Sequence, residues 1–185
     1  MSGAENCRTR LVMAAIAAAA IGIASPAVAD PINGFTPGDL VISVYGDGDG
    51  SGTYTDNQAS PITLQEFQLG VGGTTATSVG TMTLPQSQSG ANYPISGEYG
   101  SSSEGTLELS ADGHYLTIAG YGVGSAAFNA NPASYGGTTK TCVDGSTCYP
   151  LAQTPSATTP RVIALIDSKG DVNTTTALTN AFTCP

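Results

Sequence analysis

The chain has 185 residues, of which only 10% are charged, and its formal net charge is −9. A chain this acidic is repelled by nucleic acid phosphates and by anionic lipid surfaces, so we expect no nucleic-acid partner. Gly, Ser and Thr are abundant, but several apolar runs alternate with polar residues, which favours a folded β protein over a disordered chain.

Residues 1–29 have the pattern of a secretory signal peptide. Two arginines precede the apolar run 11–23, and Ala27 and Ala29 are the small residues of a cleavage site. The run is shorter than the roughly 20 residues of a transmembrane helix, and no later run is long enough to cross a membrane. We therefore predict cleavage after Ala29, one all-β domain over 30–185, and a periplasmic or extracellular protein.

The stretch "GDGDGSG" after the first predicted strand begins like a calcium-binding loop. Asp47 and Asp49 stand at alternate positions, as the first two ligands of an EF-hand do. Gln58 stands where an EF-hand needs a bidentate glutamate, and strands flank the loop, so an EF-hand is excluded. We predict a glycine-rich turn with no cofactor. The alternative is a non-helical calcium site formed by Asp47, Asp49 and Asp56.

Strand signals recur along the rest of the chain, mostly as alternation of apolar and polar residues. The segments are 39–46, 62–70, 78–85, 104–110, 113–121, 161–167 and 171–179. The first is apolar on both faces, which predicts burial on both sides. Turn pairs at Asp112-Gly113 and Lys169-Gly170 join the last four segments into two hairpins. No segment after residue 29 has a convincing helical period.

Two long connections, 86–103 and 122–160, have no strand pattern. Loops of that length are uncommon in compact domains and often carry function, so we expect the 122–160 loop to be the contact surface, with a protein or a glycan as its partner. Four tyrosines in these loops either cover the edge of the core or stack on that partner. They are Tyr93, Tyr99, Tyr135 and Tyr149.

The cysteines fit an oxidising compartment. Cys142 and Cys148 flank "VDGST", whose Asp-Gly pair turns the chain back, so we predict a disulfide between them. Zinc is the rival ligand, but the chain has one histidine and no second cysteine pair. Cys184 is then unpaired within this chain, and we expect its partner elsewhere.

The sequence contains no convincing set of catalytic residues. His114 is the only histidine, it follows an Asp-Gly turn, and no G-x-S-x-G nucleophile motif accompanies it. A pair of carboxylates could serve glycoside hydrolysis, but alternation places Glu108 on the solvent side of a strand. The acidic residues considered are Glu98, Glu104, Glu108 and Asp112. The glycine-rich 120–125 has no helix pattern after it, so a nucleotide loop is rejected. We predict no catalytic residue.

The run "LELSADGHYLTIAGY" (107–121) resembles a blade hairpin of exported bacterial β-propellers, and 161–182 resembles the hairpin after it. The resemblance extends over most of 35–182 and implies consecutive antiparallel hairpins in a partial propeller, with a β-sandwich as the alternative. A propeller has 4–8 blades of about 40–45 residues, and the chain has strands for about two. We therefore expect an incomplete propeller that belongs to a longer protein.

The function predicted from these features is that of an exported, non-catalytic β-rich protein of unknown ligand, with a binding or structural role at the cell envelope or outside the cell. One alternative is the N-terminal part of a propeller hydrolase of lactonase or phytase type, whose active residues lie in further blades. The other is a surface protein stabilised by calcium.

Overall fold

The computed structural model describes residues 32–46, 54–101, 105–142 and 145–180. In these residues the main sheet has eight strands, and a small two-stranded sheet lies apart from it. Every strand pairing is antiparallel. The predicted all-β, antiparallel class is confirmed.

The first part of the chain forms three neighbouring strands: β1 (Leu40–Tyr45), β2 (Ala59–Leu69) and β3 (Ala76–Thr83). β2 lies in the middle and pairs with β1 on one side and β3 on the other. A 3₁₀ turn at Val71–Gly73 makes the tight connection between β2 and β3. The three strands predicted over this part of the sequence are thus present.

The prediction that the first strand is buried on both faces is wrong. Leu40 and Ile42 are 48% and 38% exposed, whereas Val41 and Tyr45 on the opposite face pack against the main core. In the described part of the chain, β1 is covered on one face only. The apolar residues on its other face are therefore exposed, although the sequence pattern predicted that they are buried.

The second half of the sheet contains β4 (Ser96–Glu98), β5 (Glu108–Leu109), β6 (Tyr115–Tyr121), β9 (Arg161–Asp167) and β10 (Val172–Leu178). The strand order is β1-β2-β4-β6-β9-β10, with β3 beside β2 and β5 beside β6. The start of β2 pairs with β4, whereas the rest of β2 pairs with β3. β2 therefore belongs to both halves of the sheet and joins them.

Both predicted hairpins are confirmed. β5 and β6 pair with Leu109 opposite Leu116, and β9 and β10 pair with Ile166 opposite Val172. The two turns contain glycines with φ of +73° and +81°, which residues with a Cβ rarely adopt. A bulge between Asn173 and Thr176 interrupts the second ladder.

Two hydrophobic clusters fill the interior. The larger one joins the two halves of the sheet, and its members are Ile62, Leu64, Leu84, Ile95, Ile118, Val162, Ala164 and Ile166. The smaller one lies at the start of β2, and its members are Ala59, Tyr121, Val123, Phe128 and Leu151. The second cluster supports the part of the molecule where the candidate site lies.

The long connections contain structure that the sequence did not predict. Residues 86–103 contribute β4. Residues 122–160 contain the helix α1 (Ser125–Ala130), two 3₁₀ helices (Pro132–Tyr135 and Leu151–Gln153), and a hairpin of β7 (Lys140–Thr141) and β8 (Thr147–Cys148). Elements of two to six residues are too short to show a hydrophobic period, so periodicity did not reveal them.

The propeller remains a prediction. Neither a closed barrel nor a propeller is found in the described strands. None of the helices in the described ranges is both long and apolar enough to cross a membrane.

Candidate ligand-binding site

A pocket of about 570 Å³ lies where the chain enters β2. Its walls come from the turn before β2, from α1 and the 3₁₀ helix after it, and from the β7–β8 hairpin. The volume falls in the range of about 300–1,000 Å³ that small-molecule sites occupy. Three segments far apart in sequence must therefore be held together for the pocket to exist.

The turn at 54–58 forms the first wall, and its backbone is firmly anchored. The Asn57 N–H donates to the Tyr99 carbonyl at 3.0 Å, and the Tyr99 N–H donates to the Gln58 carbonyl at 2.8 Å. Within the turn, the Thr55 N–H donates to Gln58 Oε1 at 3.0 Å. Asn57 has a φ of +72°, a left-handed conformation that asparagine tolerates better than most residues with a Cβ.

Asn129 on α1 joins the helix to β2. Its Oδ1 accepts the Ala59 N–H at 3.0 Å, and its Nδ2 donates to the Ala59 carbonyl at 2.8 Å. Because Ala59 is fully buried, water does not reach its N–H and carbonyl, and the Asn129 amide is the partner of both groups. The amide side chain thus takes the place of a neighbouring strand at the first residue of β2.

The disulfide predicted between Cys142 and Cys148 is confirmed and lines the third wall. The two Cα atoms are 5.8 Å apart, within the usual range for a disulfide. The Cys142 N–H donates to the Ser146 carbonyl at 2.8 Å, which closes the turn. Asn57 Nδ2 donates to Cys142 Sγ at 3.2 Å, so the hairpin is also bonded to the first wall.

Two polar side chains, one buried and one half-buried, hold the 151–159 segment in place. Glu98 at the end of β4 accepts the Ala152 N–H at 2.6 Å through Oε2. Arg161 donates to the carbonyls of Thr159 and Thr154, each at 2.7 Å, and its guanidinium lies 4.4 Å from the ring centroid of Tyr121. These contacts hold the 151–159 segment against the second hydrophobic cluster.

The lining combines an apolar floor with polar walls. Phe128 and Tyr149 contribute aromatic rings, and Gln58 and Asn129 contribute amides. Among the described residues of the lining, Asp56 is the only charged one. No cluster of three or more His, Cys, Asp or Glu side chains that could hold a metal occurs in the described ranges. The described lining offers apolar and hydrogen-bonding groups, as small-molecule sites do, and among its residues no nucleophile is paired with a general base.

The residues of the predicted calcium site are only partly described. Asp47 and Asp49 lie outside the described residues, so their part of that prediction is untested. Asp56 is exposed, lines the pocket, and lies against Gly100, where an added Cβ would collide with the carboxylate. The structure therefore places Asp56 in a different context from the one the sequence suggested.

The other candidate residues do not form a site. His114 is exposed, and its N–H donates to Asp112 Oδ1 at 3.1 Å. The Ser110 hydroxyl donates to the same oxygen at 2.6 Å, and this bond, with the smaller effect of the His114 N–H, lowers the pKa of Asp112. Glu108 is exposed as predicted, Glu98 is buried under Ala152, and Glu104 lies outside the described residues.

The loop tyrosines mostly cover the core. Tyr93 packs against the larger cluster, and Tyr135 and Tyr149 pack against the smaller one. Tyr99 lies against Tyr54, with ring centroids 6.1 Å apart. Of the four predicted tyrosines, only Tyr149 lines the pocket.

The expectation about partners needs a correction. That expectation had two parts: a cysteine with no partner in the chain, and a protein or glycan partner that binds through the 122–160 loop. The two cysteines in the described ranges, Cys142 and Cys148, are bonded to each other, because the turn between them brings their Cα atoms within disulfide distance. Cys184 lies outside those ranges. We therefore carry forward neither the unpaired cysteine nor the partners predicted with it.

Comparisons of this chain with family models, with curated proteins and with solved structures each found no match. What the pocket does is therefore inferred from its own residues.

Proposed function

We propose that this chain is an exported, non-catalytic binding domain that holds a small molecule in the pocket at the start of β2. The observation that carries the proposal is the construction of the pocket. The 54–59 segment is hydrogen-bonded to the β7–β8 hairpin through Asn57 and to α1 through Asn129, the disulfide closes the hairpin, and the three segments line a partly open volume of ligand size.

Export is supported by the signal-peptide pattern of 1–29 and by the disulfide, since disulfides persist in oxidising compartments. A non-catalytic role is supported by the lining, in which Asp56 is the only carboxylate among the described residues and no histidine is present among them. The calcium and hydrolase alternatives, and the propeller on which the second depends, have no described contact in their favour. They remain predictions from the sequence.

A pocket-filling substitution tests the proposal. Thr147 is exposed and lines the pocket, so Thr147→Trp places a large side chain in it without disturbing the core. Thr77→Trp, on an exposed position of β3, is the matched control. The probes are benzylamine, benzyl alcohol, benzamide and benzoate, four small molecules of one size that differ in their polar group.

Melting temperatures with and without each probe give the readout, since a ligand of the native state raises stability by mass action. At ten times its dissociation constant a probe adds about 1.4 kcal/mol, which is about 3 °C for a domain of this size. We expect at least one probe to raise the melting temperature of the wild type and of Thr77→Trp, and none to raise that of Thr147→Trp. A panel that shifts none of the proteins contradicts the proposal.

A further inference from the structure

Some hydrogen-bonding groups in the pocket walls are bonded to other parts of the protein, and others are not. Both polar atoms of the Asn129 amide are bonded to Ala59, and Gln58 Oε1 accepts the Thr55 N–H. These groups hold the pocket in shape and are not available to a ligand without cost. Among the described residues of the lining, Gln58 Nε2, the hydroxyls of Thr55 and Thr147 and the Asp56 carboxylate have no hydrogen bond within the chain, and of these groups only the Asp56 carboxylate is charged.

From this difference we propose that the ligand is a small organic cation, an amine that carries an apolar or aromatic group. The inference rests on the proposed binding function and names the class of molecule that the pocket takes. Asp56 supplies the one charge in the described part of the lining, and an ammonium group donates the hydrogen bonds that this carboxylate can accept. Tyr149, which is half-buried, contributes an aromatic ring to the same lining, and the buried Phe128 also borders the pocket.

The charge of the whole chain acts in the same direction. With a formal net charge of −9, the protein attracts cations and repels anions at a distance. Lys140 is the nearby exception. It pairs with Cys148 across the β7–β8 hairpin and is exposed, but it is not part of the lining. Lys140 therefore weakens the binding of a cation, and its removal acts opposite to the removal of Asp56.

Titration of the full chain with benzylamine, benzyl alcohol and benzoate tests the charge preference. The three probes share a ring and differ in being cationic, neutral and anionic at neutral pH. We expect benzylamine to bind about 1.5- to fivefold more tightly than benzyl alcohol, the range of an exposed ion pair, and benzoate to bind most weakly. The preference should shrink in high salt, because screening weakens an exposed ion pair.

Variants locate the charge responsible. Asp56→Asn should abolish the preference for benzylamine and leave the affinity for benzyl alcohol unchanged. Asp171→Asn makes the same change in net charge at the β9–β10 turn, outside the lining, and should leave the preference intact. Lys140→Gln should increase the affinity for benzylamine.

The outcomes separate this inference from the proposed function. Equal affinities for benzylamine and benzyl alcohol in the wild type, or equal losses in Asp56→Asn and Asp171→Asn, overturn the cation while leaving a working pocket. Failure of all probes to bind overturns both. If benzylamine binds more tightly than benzyl alcohol, and Asp56→Asn but not Asp171→Asn removes this preference, the cation inference and the proposed function are both supported.

Discussion

Among the contacts that the structure describes, Asn129 is the only side chain that hydrogen-bonds the backbone N–H and carbonyl of Ala59, at the start of β2. Replacing Asn129 with alanine removes both hydrogen bonds. Ala59 is fully buried, and both its N–H and its carbonyl bond to the Asn129 amide, at 3.0 and 2.8 Å. A buried backbone group left without a partner costs about 1–3 kcal/mol. Two such groups give a loss of about 2–6 kcal/mol in the free energy of unfolding, nearer the lower value if water enters from the pocket.

Asn129→Asp is the matched variant. Its carboxylate still accepts the Ala59 N–H but cannot donate to the carbonyl, and it repels that oxygen. The protonated acid can donate, so folding favours the protonated form and raises the pKa of the new carboxyl above its unfolded value. The stability that the protonated acid restores is therefore present at low pH and lost as the pH rises through the folded pKa.

Urea unfolding at several pH values measures these effects. We expect Asn129→Asp to fall well below the wild type at neutral pH and to approach it near pH 4 and below. Asn131→Ala, at an exposed position just after α1, is the control and should change the free energy by less than about 0.5 kcal/mol. The reasoning is refuted if Asn129→Ala unfolds within about 0.5 kcal/mol of the wild type.

Three further changes test other parts of the fold. Gly97→Ala should cost about 1–3 kcal/mol in thermal unfolding, because its Cβ would fall on the ring of Tyr45, and a normal melting temperature would contradict that contact. Replacing both bonded cysteines with serine should lower the free energy of unfolding by about 2 kcal/mol, as expected for a disulfide that closes so short a loop. An unchanged melting temperature would show that the hairpin is stable without the disulfide. Ser110→Ala should raise the pKa of Asp112 towards its ordinary value in an NMR titration, and no change would contradict the hydroxyl as the main cause of the lowered pKa.

Alternation and turn chemistry were sufficient to predict most of the sheet. The segment 161–167 is a nearly continuous apolar run followed by a Lys-Gly turn, and it forms β9 with the predicted hairpin. The same signals predicted β1, β2, β3 and β6 to within a few residues. The disulfide was also predictable, since two cysteines around an Asp-Gly turn have little choice of partner within the described chain.

The pocket was not predictable in this way. The role of Asn129 depends on α1 lying beside the first residue of β2, 70 positions earlier in the chain. Asn57 acts through a left-handed backbone conformation and a bond to a cysteine 85 positions away. Polar residues in loops give no periodic signal, and their partners are fixed only by the tertiary fold. The burial of β4, a three-residue "SGE" segment, was missed for the same reason.

Chemical-shift mapping tests the central claim most directly, because it shows both whether a small molecule binds and where. Benzylamine and benzyl alcohol would be titrated into the isotope-labelled chain while the backbone amide resonances are followed. The account predicts saturable shifts concentrated in the 54–58 turn, α1 and the β7–β8 hairpin, and their absence in Thr147→Trp. Shifts that cluster on the exposed outer face of β1, or that are equally strong in Thr147→Trp, would contradict it.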